Sequence, residues 1–429
     1  MNTNFTRRAA LLITLFTVGF IAGQLTFSID MEAKAKARRA TLIEGTVHTD
    51  DNLRQLEQLR ELGYVDGTVD SQPGIRGVEL HDPARAFPGL NFYSSRIRTS
   101  AQLIDMNGEQ VHGWNYPGGD GWEHAELLPN GDILVVANEA SVFKLDMNSN
   151  LLWQRDLRAH HDLAVRSNGD IYVLVNEKRK DPEIHLEVPI IEDSIQILSG
   201  DGQLKDRFSI LKALRSSPYG FLLASPTDLP ANQLEGERLH LDMLHTNHIQ
   251  VFDGSLKDRS PLFSEGNLLI SMRTINTIAI IDGVSRAVIW AWGPTNLYRQ
   301  HHPTLLESGS IVLFDNGRHH SQIIEMDPLT LKIRWRYSPP RGFLSRFRGS
   351  VQRLPNGNSL ITESDKGYVF EITPEKETVW RFANPDIDEK NLRIAIWRMT
   401  RYGREELPFL EEVTPSSHHA TAGAATNAN

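Results

Sequence analysis

The 429-residue chain contains no cysteine. Disulfides, thiolate metal sites and a cysteine nucleophile are thereby excluded, while the compartment stays open. Cations are the minority charge: 45 Lys and Arg stand against 54 Asp and Glu, for a net charge of -9. No basic run interrupts the repeats described below, so no nucleic-acid partner is expected. Histidine is plentiful, but the pairs His301-His302 and His319-His320 have no carboxylate or thiolate at a matching spacing. No catalytic metal, and no other cofactor, is read from them.

What is present begins with a charge-free stretch. Residues 9–27 carry no charged side chain and follow Arg7-Arg8, the length and flank of a transmembrane signal anchor that leaves the rest of the chain outside the cytoplasm. A cleaved signal peptide is the competing reading. Leu53, Leu56, Leu59 and Leu62 then recur at helical spacing between Asp50-Asp51 and Gly63, which predicts a helical stalk able to pack on the following domain or to pair with a second subunit as a homo-oligomer. The expected division is an anchor over 1–30, a stalk and linker over 31–88, a repeat domain over 89–402 and a disordered tail over 403–429.

The repeat domain is defined by a recurring turn: Leu128-Pro-Asn130-Gly131-Asp132, Arg166-Ser-Asn168-Gly169-Asp170, Phe263-Ser-Glu265-Gly266-Asn267, Glu307-Ser308-Gly309-Ser310 and Leu354-Pro-Asn356-Gly357-Asn358. Such turns join antiparallel strands because their residues tolerate positive φ. An aromatic follows each copy (Trp153, Phe208, Trp290, Trp335, Trp380), and Leu103-Ile-Asp105-Met-Asn-Gly108 leading to Trp114 makes a sixth unit. The aromatics are 39, 55, 82, 45 and 45 residues apart, the period of a four-stranded blade plus insertions. The fold class is therefore all-β, a six-bladed β-propeller preceded by the anchor and stalk. Blade one lacks its own inner strand, and Asn391–Tyr402 is the right length to supply it and close the ring. Two insertions, 176–192 and 210–244, lengthen the third unit and separate it from the fourth; the second is expected to roof the channel mouth.

Aligning the units on their turns places Glu123, His161, His301 and Gly349 at the start of successive inner strands; in the unit where an insertion separates strand and turn, matching Ile249-Gln250-Val251 to Val351-Gln352-Arg353 places Asn247 there. Inner strands line a propeller's channel, so His161, Asn247 and His301 are expected to meet at one mouth.

The motifs His160-His161-Asp162-Leu163, Asp242-x-x-His245-x-Asn247, Leu269-Ile-Ser-Met-Arg273-x-x-Asn276, Gln300-His301 ahead of Asp315-Asn316-Gly317, and Gly349-Ser-x-Gln352 resemble, in order and blade position, those of the bacterial periplasmic aryl sulfotransferases. The resemblance covers residues 89–385. It implies a transferase that moves a sulfuryl group from a phenolic sulfate donor to a phenol acceptor by a ping-pong route, with His301 sulfurylated. His161, His245, Asn247 and Arg273 would surround the transferring group, and Asn316, His302 and His248 would bind substrate. A neutral imidazole is a good nucleophile at pH 7, and a guanidinium fork fits sulfate oxygens. Relatives of this kind carry an additional N-terminal β-domain and a disulfide; the present chain has the apolar stretch, the Leu-rich stretch and no Cys. The rival expectation is a membrane-tethered propeller that binds a protein or saccharide without catalysis.

Overall fold

The computed structural model describes residues 67–68, 74–117, 121–137, 140–223, 240–339, 342–389 and 391–413. The anchor and the Leu-rich stalk lie outside the described residues, and among the described residues no helix is long and apolar enough to cross a membrane.

Six antiparallel sheets follow one another along the chain. Blade two uses Trp122–Leu127, Ile133–Ala137, Ser141–Leu145 and Leu151–Arg155; blade three uses Ala159–Val165, Ile171–Asp181, His185–Leu198 and Leu204–Ser209. Blade four uses Thr246–Val251, Leu268–Met272, Thr277–Ile281 and Val288–Trp292; blade five uses His301–Leu305, Ile311–Asp315, Gln322–Met326 and Ile333–Tyr337. Blade six runs from Ser350–Arg353 through Ser359–Glu363 and Tyr368–Ile372 to Thr378–Ala383. In blade one the inner strand is Ile396–Tyr402, paired with Leu90–Ser95 and followed by Ser100–Ile104 and Gln110–Asn115. The C-terminal segment thus closes the ring as expected.

The repeated turn does what its residues predict. Gly131, Gly169, Gly266, Gly309 and Gly357 all have positive φ, between +73° and +88°, where a side chain would be strained. The repeated aromatics explain how blades hold one another. The indole N–H of Trp114 donates to the Gly131 carbonyl (3.0 Å), Trp153 to Gly200 (3.0 Å), Trp290 to Pro328 (3.0 Å), Trp335 to Pro374 (3.1 Å) and Trp380 to Met106 (2.9 Å). Each acceptor belongs to the next blade round the ring. Phe208, which has no N–H, instead lies under the Arg286 guanidinium of blade four, 4.5 Å from its ring.

Ring closure is clamped by polar groups as well as apolar ones. Gln352 of blade six exchanges two hydrogen bonds with the Arg401 backbone, 2.8 and 2.9 Å. The fully buried Arg401 side chain pairs with Glu371 and donates to Asn91 at 2.7 Å. Removing one member would strand a buried charge, which typically costs about 3–5 kcal/mol.

Two expected boundaries move. The stretch read as linker contains Gly77–His81, which pairs with Thr378–Ala383 as a fifth, outermost strand of blade six. The stretch read as a disordered tail begins with a packed segment: Leu407, Phe409 and Leu410 are buried against Trp114 and Leu127. A three-residue apolar cluster is too short to show periodicity, yet it covers an apolar surface left open at blade one. The 176–192 insertion extends a hairpin of blade three. In the second insertion, the helix Ile210–Arg215 and residues 241–244 pack into the core between blades three and four, while 224–239 lie outside the described residues.

Candidate active site

The inner strands are irregular at one end. Register slips between Trp122 and His124, Ala159 and Leu163, Thr246 and His248, His301 and Thr304, and Ile396 and Met399. These bulges force Glu123, His160–Asp162, Asn247, His302 and Trp397-Arg398 out of the ladder. A bulge bends its strand and re-aims a side chain, and here every one turns polar groups into the channel. Backbone strain concentrates in the same place: His161, His245, Asn276, Arg299 and His302 all have φ between +49° and +60°. Non-glycine residues hold that conformation only where their surroundings impose it.

The result is a cavity, open on one side, to which all six blades contribute: Glu123, His161, Asn247 and His301 from blades two to five, Gly349 from blade six and Trp397 from blade one. His302, Arg348 and Arg398 complete much of its wall.

His301 is held in a defined tautomer. Its Nδ1 is 2.8 Å from Asn316 Oδ1 and 2.9 Å from the Arg299 carbonyl. Both are acceptors, so Nδ1 carries the proton and Nε2 keeps its lone pair. The Asn316 amide cannot turn over, because its Nδ2 donates to the Ser345 and Arg348 carbonyls at 2.8 and 2.9 Å. Burial, then the Arg273 guanidinium, pushes His301 down to about 3. The ring is neutral at pH 7. Gln300, wholly buried, anchors the strand beside it by donating to Ser271, Met272 and Thr277.

Around it stand other imidazoles. His161 packs edge-on to His245, with ring centroids 4.8 Å apart, and its backbone N–H donates to Glu123 at 2.8 Å. Burial, then the neighbouring His245, His160, His301 and Arg273, each of which opposes a charge on the ring, holds His161 well below its usual range. His245 Nδ1 lies 2.5 Å from Asp242. Leu241–Asp242 reaches this position by pairing in parallel with Ile190-Ile191 of blade three, so the end of the insertion is built into the site. The Arg273 N–H donates to the His245 carbonyl at 3.2 Å. Asp193, whose carboxylate accepts the Thr246 N–H at 2.6 Å, is pushed up to about 7 by burial and by Asp242.

The eight residues singled out in the sequence therefore gather at one end of the channel. His301, His161, Asn247 and His302 line the cavity, whereas His245, Arg273, Asn316 and His248 stand behind them. Asn247 differs in detail from expectation. One N–H of its amide is committed to the Gln300 carbonyl at 3.0 Å, and its buried Oδ1 has no hydrogen-bond partner among the described residues. His302 lines the cavity while His248 packs behind it, their rings tilted with centroids 4.7 Å apart.

Sequence reasoning missed Asp162, Arg348, Trp397 and Arg398. Asp162 is fully buried, 2.5 Å from His248 and 3.1 Å from Arg398. Its only signal was its place beside His161 in the aligned register. Trp397 and Arg398 lie in the closing strand, which has no turn copy to align on. Among the described residues no three His, Asp or Glu side chains are arranged to hold a metal ion together.

A propeller whose bulged inner strands bring a neutral, tautomer-fixed imidazole against guanidiniums has the makings of a group-transfer enzyme acting on an anion. Comparison with known proteins gives the class its name. The chain belongs to the arylsulfotransferase (ASST) family, whose model matches residues 124–385, and aryl sulfotransfer is that family's reaction. No curated protein matches the chain. Solved structures resembling it include a protein of unknown function from Bacteroides caccae, 13% identical over 73% of this chain and 99% of that one, TM-score 0.49. A streptogramin B lyase is 14% identical over 78% and 96%, TM-score 0.44, and the WD40 propeller domain of Doa1 is 11% identical over 73% and 79%, TM-score 0.40.

Proposed function

We propose that the chain transfers a sulfuryl group from an aryl sulfate to a phenol through a sulfo-histidine on His301. The observation that carries this reading is the pair of acceptors on His301 Nδ1, Asn316 Oδ1 and the Arg299 carbonyl. They leave Nε2 as the nucleophilic nitrogen of a neutral ring.

In the first half-reaction the Nε2 lone pair forms a bond to sulfur while the sulfur–oxygen bond to the aryl group breaks, its electrons leaving as a phenolate. The sulfurylated ring is then cationic, and its Nδ1 proton stays shared between two oxygens that stabilise that charge. In the second half-reaction a phenol oxygen attacks sulfur and the nitrogen–sulfur bond returns its electrons to Nε2. The phenol's proton passes to a second imidazole. His161 suits this role: it lines the cavity, is held neutral and has the Asp242–His245 pair behind it. Arg273 supplies positive charge near both rings, offsetting negative charge on the sulfuryl oxygens.

The charge-free stretch 9–27 after Arg7-Arg8 supports a tethered enzyme with its propeller outside the cytoplasm. The test is to mix the protein with 4-nitrophenyl sulfate without acceptor, quench at alkaline pH, where sulfo-histidine survives, and map the peptide carrying one added SO₃. The expected adduct is on the peptide containing His301, with one equivalent of nitrophenolate released. Release without any adduct would mean that the sulfuryl group passes straight to water, and would remove the histidine from the covalent role.

A further inference from the structure

The reaction above uses one wall of the cavity and leaves the other unexplained. That second wall consists of Arg348, leading into blade six, and Trp397 with Arg398, from the bulge of the closing strand. The Arg348 guanidinium lies over the Trp397 ring, 4.5 Å from its centroid. Arg348 reaches Asp365 through Nη1 at 3.4 Å. Asp365 is itself fixed by the backbone N–H groups of Arg346 and Phe347, 2.6 and 3.0 Å from its other oxygen. Arg398 reaches Asp162 through Nη2 at 3.1 Å, and Asp162 is fixed by the Ile249 N–H at 3.2 Å.

Each guanidinium is thus steered by one terminal nitrogen toward a backbone-anchored carboxylate, while the residue lines the cavity. A purely structural ion pair gains most when the Arg fork meets its carboxylate through two nitrogens. Here the contacts are single, and five N–H groups per guanidinium leave donors for a ligand. The loops beside this wall point the same way. Residues 316–321 and 338–349 contain no acidic side chain and present Arg318 and Arg346 to solvent, in a chain whose net charge is -9. A locally basic mouth on an acidic protein draws anions in.

We propose that Arg348, Trp397 and Arg398 form a subsite for a second anionic group on the aromatic substrate, so that the preferred substrates are phenols, or their sulfates, bearing a carboxylate, phosphate or sulfonate elsewhere on the ring. The proposal rests on the sulfotransferase reading for its chemistry but not for its binding. A neutral phenol would reach His301 with this wall unused. A ring carrying a second charge would be oriented by it, one end on the guanidiniums and the other at Nε2.

The test is titration calorimetry of the full chain with two sulfonates whose carbon–sulfur bond prevents transfer, benzenesulfonate and 4-sulfobenzoate, repeated in Arg348→Gln and His301→Ala. The expected result is that 4-sulfobenzoate binds about tenfold more tightly, that Arg348→Gln removes this advantage while benzenesulfonate affinity changes by no more than about twofold, and that His301→Ala keeps it. Equal affinities in the unaltered protein would overturn the proposal. So would an equal loss for both ligands in Arg348→Gln, which would mean that Arg348 holds the sulfonate common to them. Arg398→Gln leaves buried Asp162 without its guanidinium, so Arg398→Lys, which keeps the charge but not the fork, accompanies it, with thermal melting as the check on folding; a folded Arg398→Lys that keeps the full advantage would remove Arg398 from the subsite. Transfer from 4-nitrophenyl sulfate to phenol and to 4-hydroxybenzoate separates the two ideas. Ligand preference without transfer to either acceptor sinks the reaction and keeps the subsite, whereas transfer without preference sinks the subsite alone.

Discussion

The two ends of the propeller's inner strands obey different rules. At the turn end, hydrogen bonds are local: Asn130 accepts from Asp132 at 3.2 Å, Asn168 from Asp170 at 3.0 Å, and glycines absorb the positive φ. At the mouth, partners come from far along the chain. Asn247 meets Gln300, Asp162 meets Ile249 and Arg398, and Arg348 and Asn316 meet across the loop between blades five and six. There the positive φ falls on His161, His245 and His302 as well as on Gly349. A turn satisfied within itself can be copied from blade to blade. A mouth satisfied only by the other blades cannot, and it is free to hold strained, buried, polar side chains at a cost that the regular remainder of the fold covers.

The sharpest way to break this division is at the mouth. His301→Ala should lower transfer by about 10⁴-fold, the scale seen when a covalent nucleophile is removed, with stability lower by about 1–3 kcal/mol because the buried Asn316 Oδ1 and the Arg299 carbonyl lose their donor. Steady-state release of nitrophenolate in the presence of phenol measures it. Activity within tenfold of the unaltered protein would mean that the strained end is not where the chemistry is done.

Asn316 comes next. Asn316→Leu removes the acceptor that fixes the His301 tautomer, leaves the Arg348 carbonyl without this donor and leaves the Ser345 carbonyl with that of Ser321. Transfer should fall by about 10²-fold, mainly in kcat, and stability by about 1–3 kcal/mol. Asn316→Asp separates the two effects, since it keeps the oxygen facing Nδ1 while losing the donors to the carbonyls. A kcat loss equal in both variants would place Asn316 in the fold rather than in the orientation of the nucleophile.

The same division explains what could be read in advance. The turn copies and the aromatics gave six blades because Asn-Gly chemistry and indole packing are local and repeat. Ring closure by Ile396–Tyr402 was legible as a missing strand. His161, Asn247 and His301 followed from register. Arg348, Trp397 and Arg398 did not: Trp397 and Arg398 sit in a closing strand that has no turn copy to align with, Arg348 stands one place ahead of the aligned position, and a bulge depends on the neighbouring blade rather than on its own residues. Gly77–His81 was hidden for a related reason. It is a lone edge strand added to blade six, outside the turn pattern. Asp162 looked like part of a His-rich strand, and only its full burial beside Arg398 and His248 marks it as the anchor of the second wall.

The difference between the ends should also appear in pH dependence. His301 stands at about 3 because of burial and Arg273, so protonation should not silence it in mild acid. The burst of nitrophenolate from 4-nitrophenyl sulfate should hold between pH 7.5 and 5, where an imidazole titrating at its ordinary value would lose about 30-fold. Stability behaves oppositely. His160, His161, His248, His301 and His302 all have depressed values in the fold, burial being the first cause for each. The unfolded chain therefore binds protons that the folded one refuses. For His160 and His301, which stand at about 3, stability present above pH 6.5 is lost as pH falls toward 3, by about 1.4 kcal/mol per pH unit each, and the other three act in the same direction. Asp193, raised to about 7 by burial and Asp242, works against this by one proton between pH 7 and 4. Denaturant titrations at pH 7 and 5 measure the balance. A stability that rises on acidification would show that the imidazoles are not buried as neutral rings.

The smallest effect belongs to the turn end, and it tests the other half of the comparison. Gly169 closes its turn by donating to the Arg166 carbonyl at 2.9 Å, with φ of +86° and nothing within 4 Å of where a Cβ would stand. Gly169→Ala therefore meets no neighbour, and its only penalty is the left-handed backbone, about 1 kcal/mol. Its strand, Ala159–Val165, carries His161 near its other end. If the mouth is held by long-range partners, as the contacts of Asp162 and Glu123 indicate, that cost stays in the turn: melting temperature drops by about 2 °C, while kcat and KM for sulfuryl transfer are unchanged. A variant that melts normally yet loses transfer would show that turn geometry sets the register of the inner strand at the site, and the two ends would have to be treated as one element.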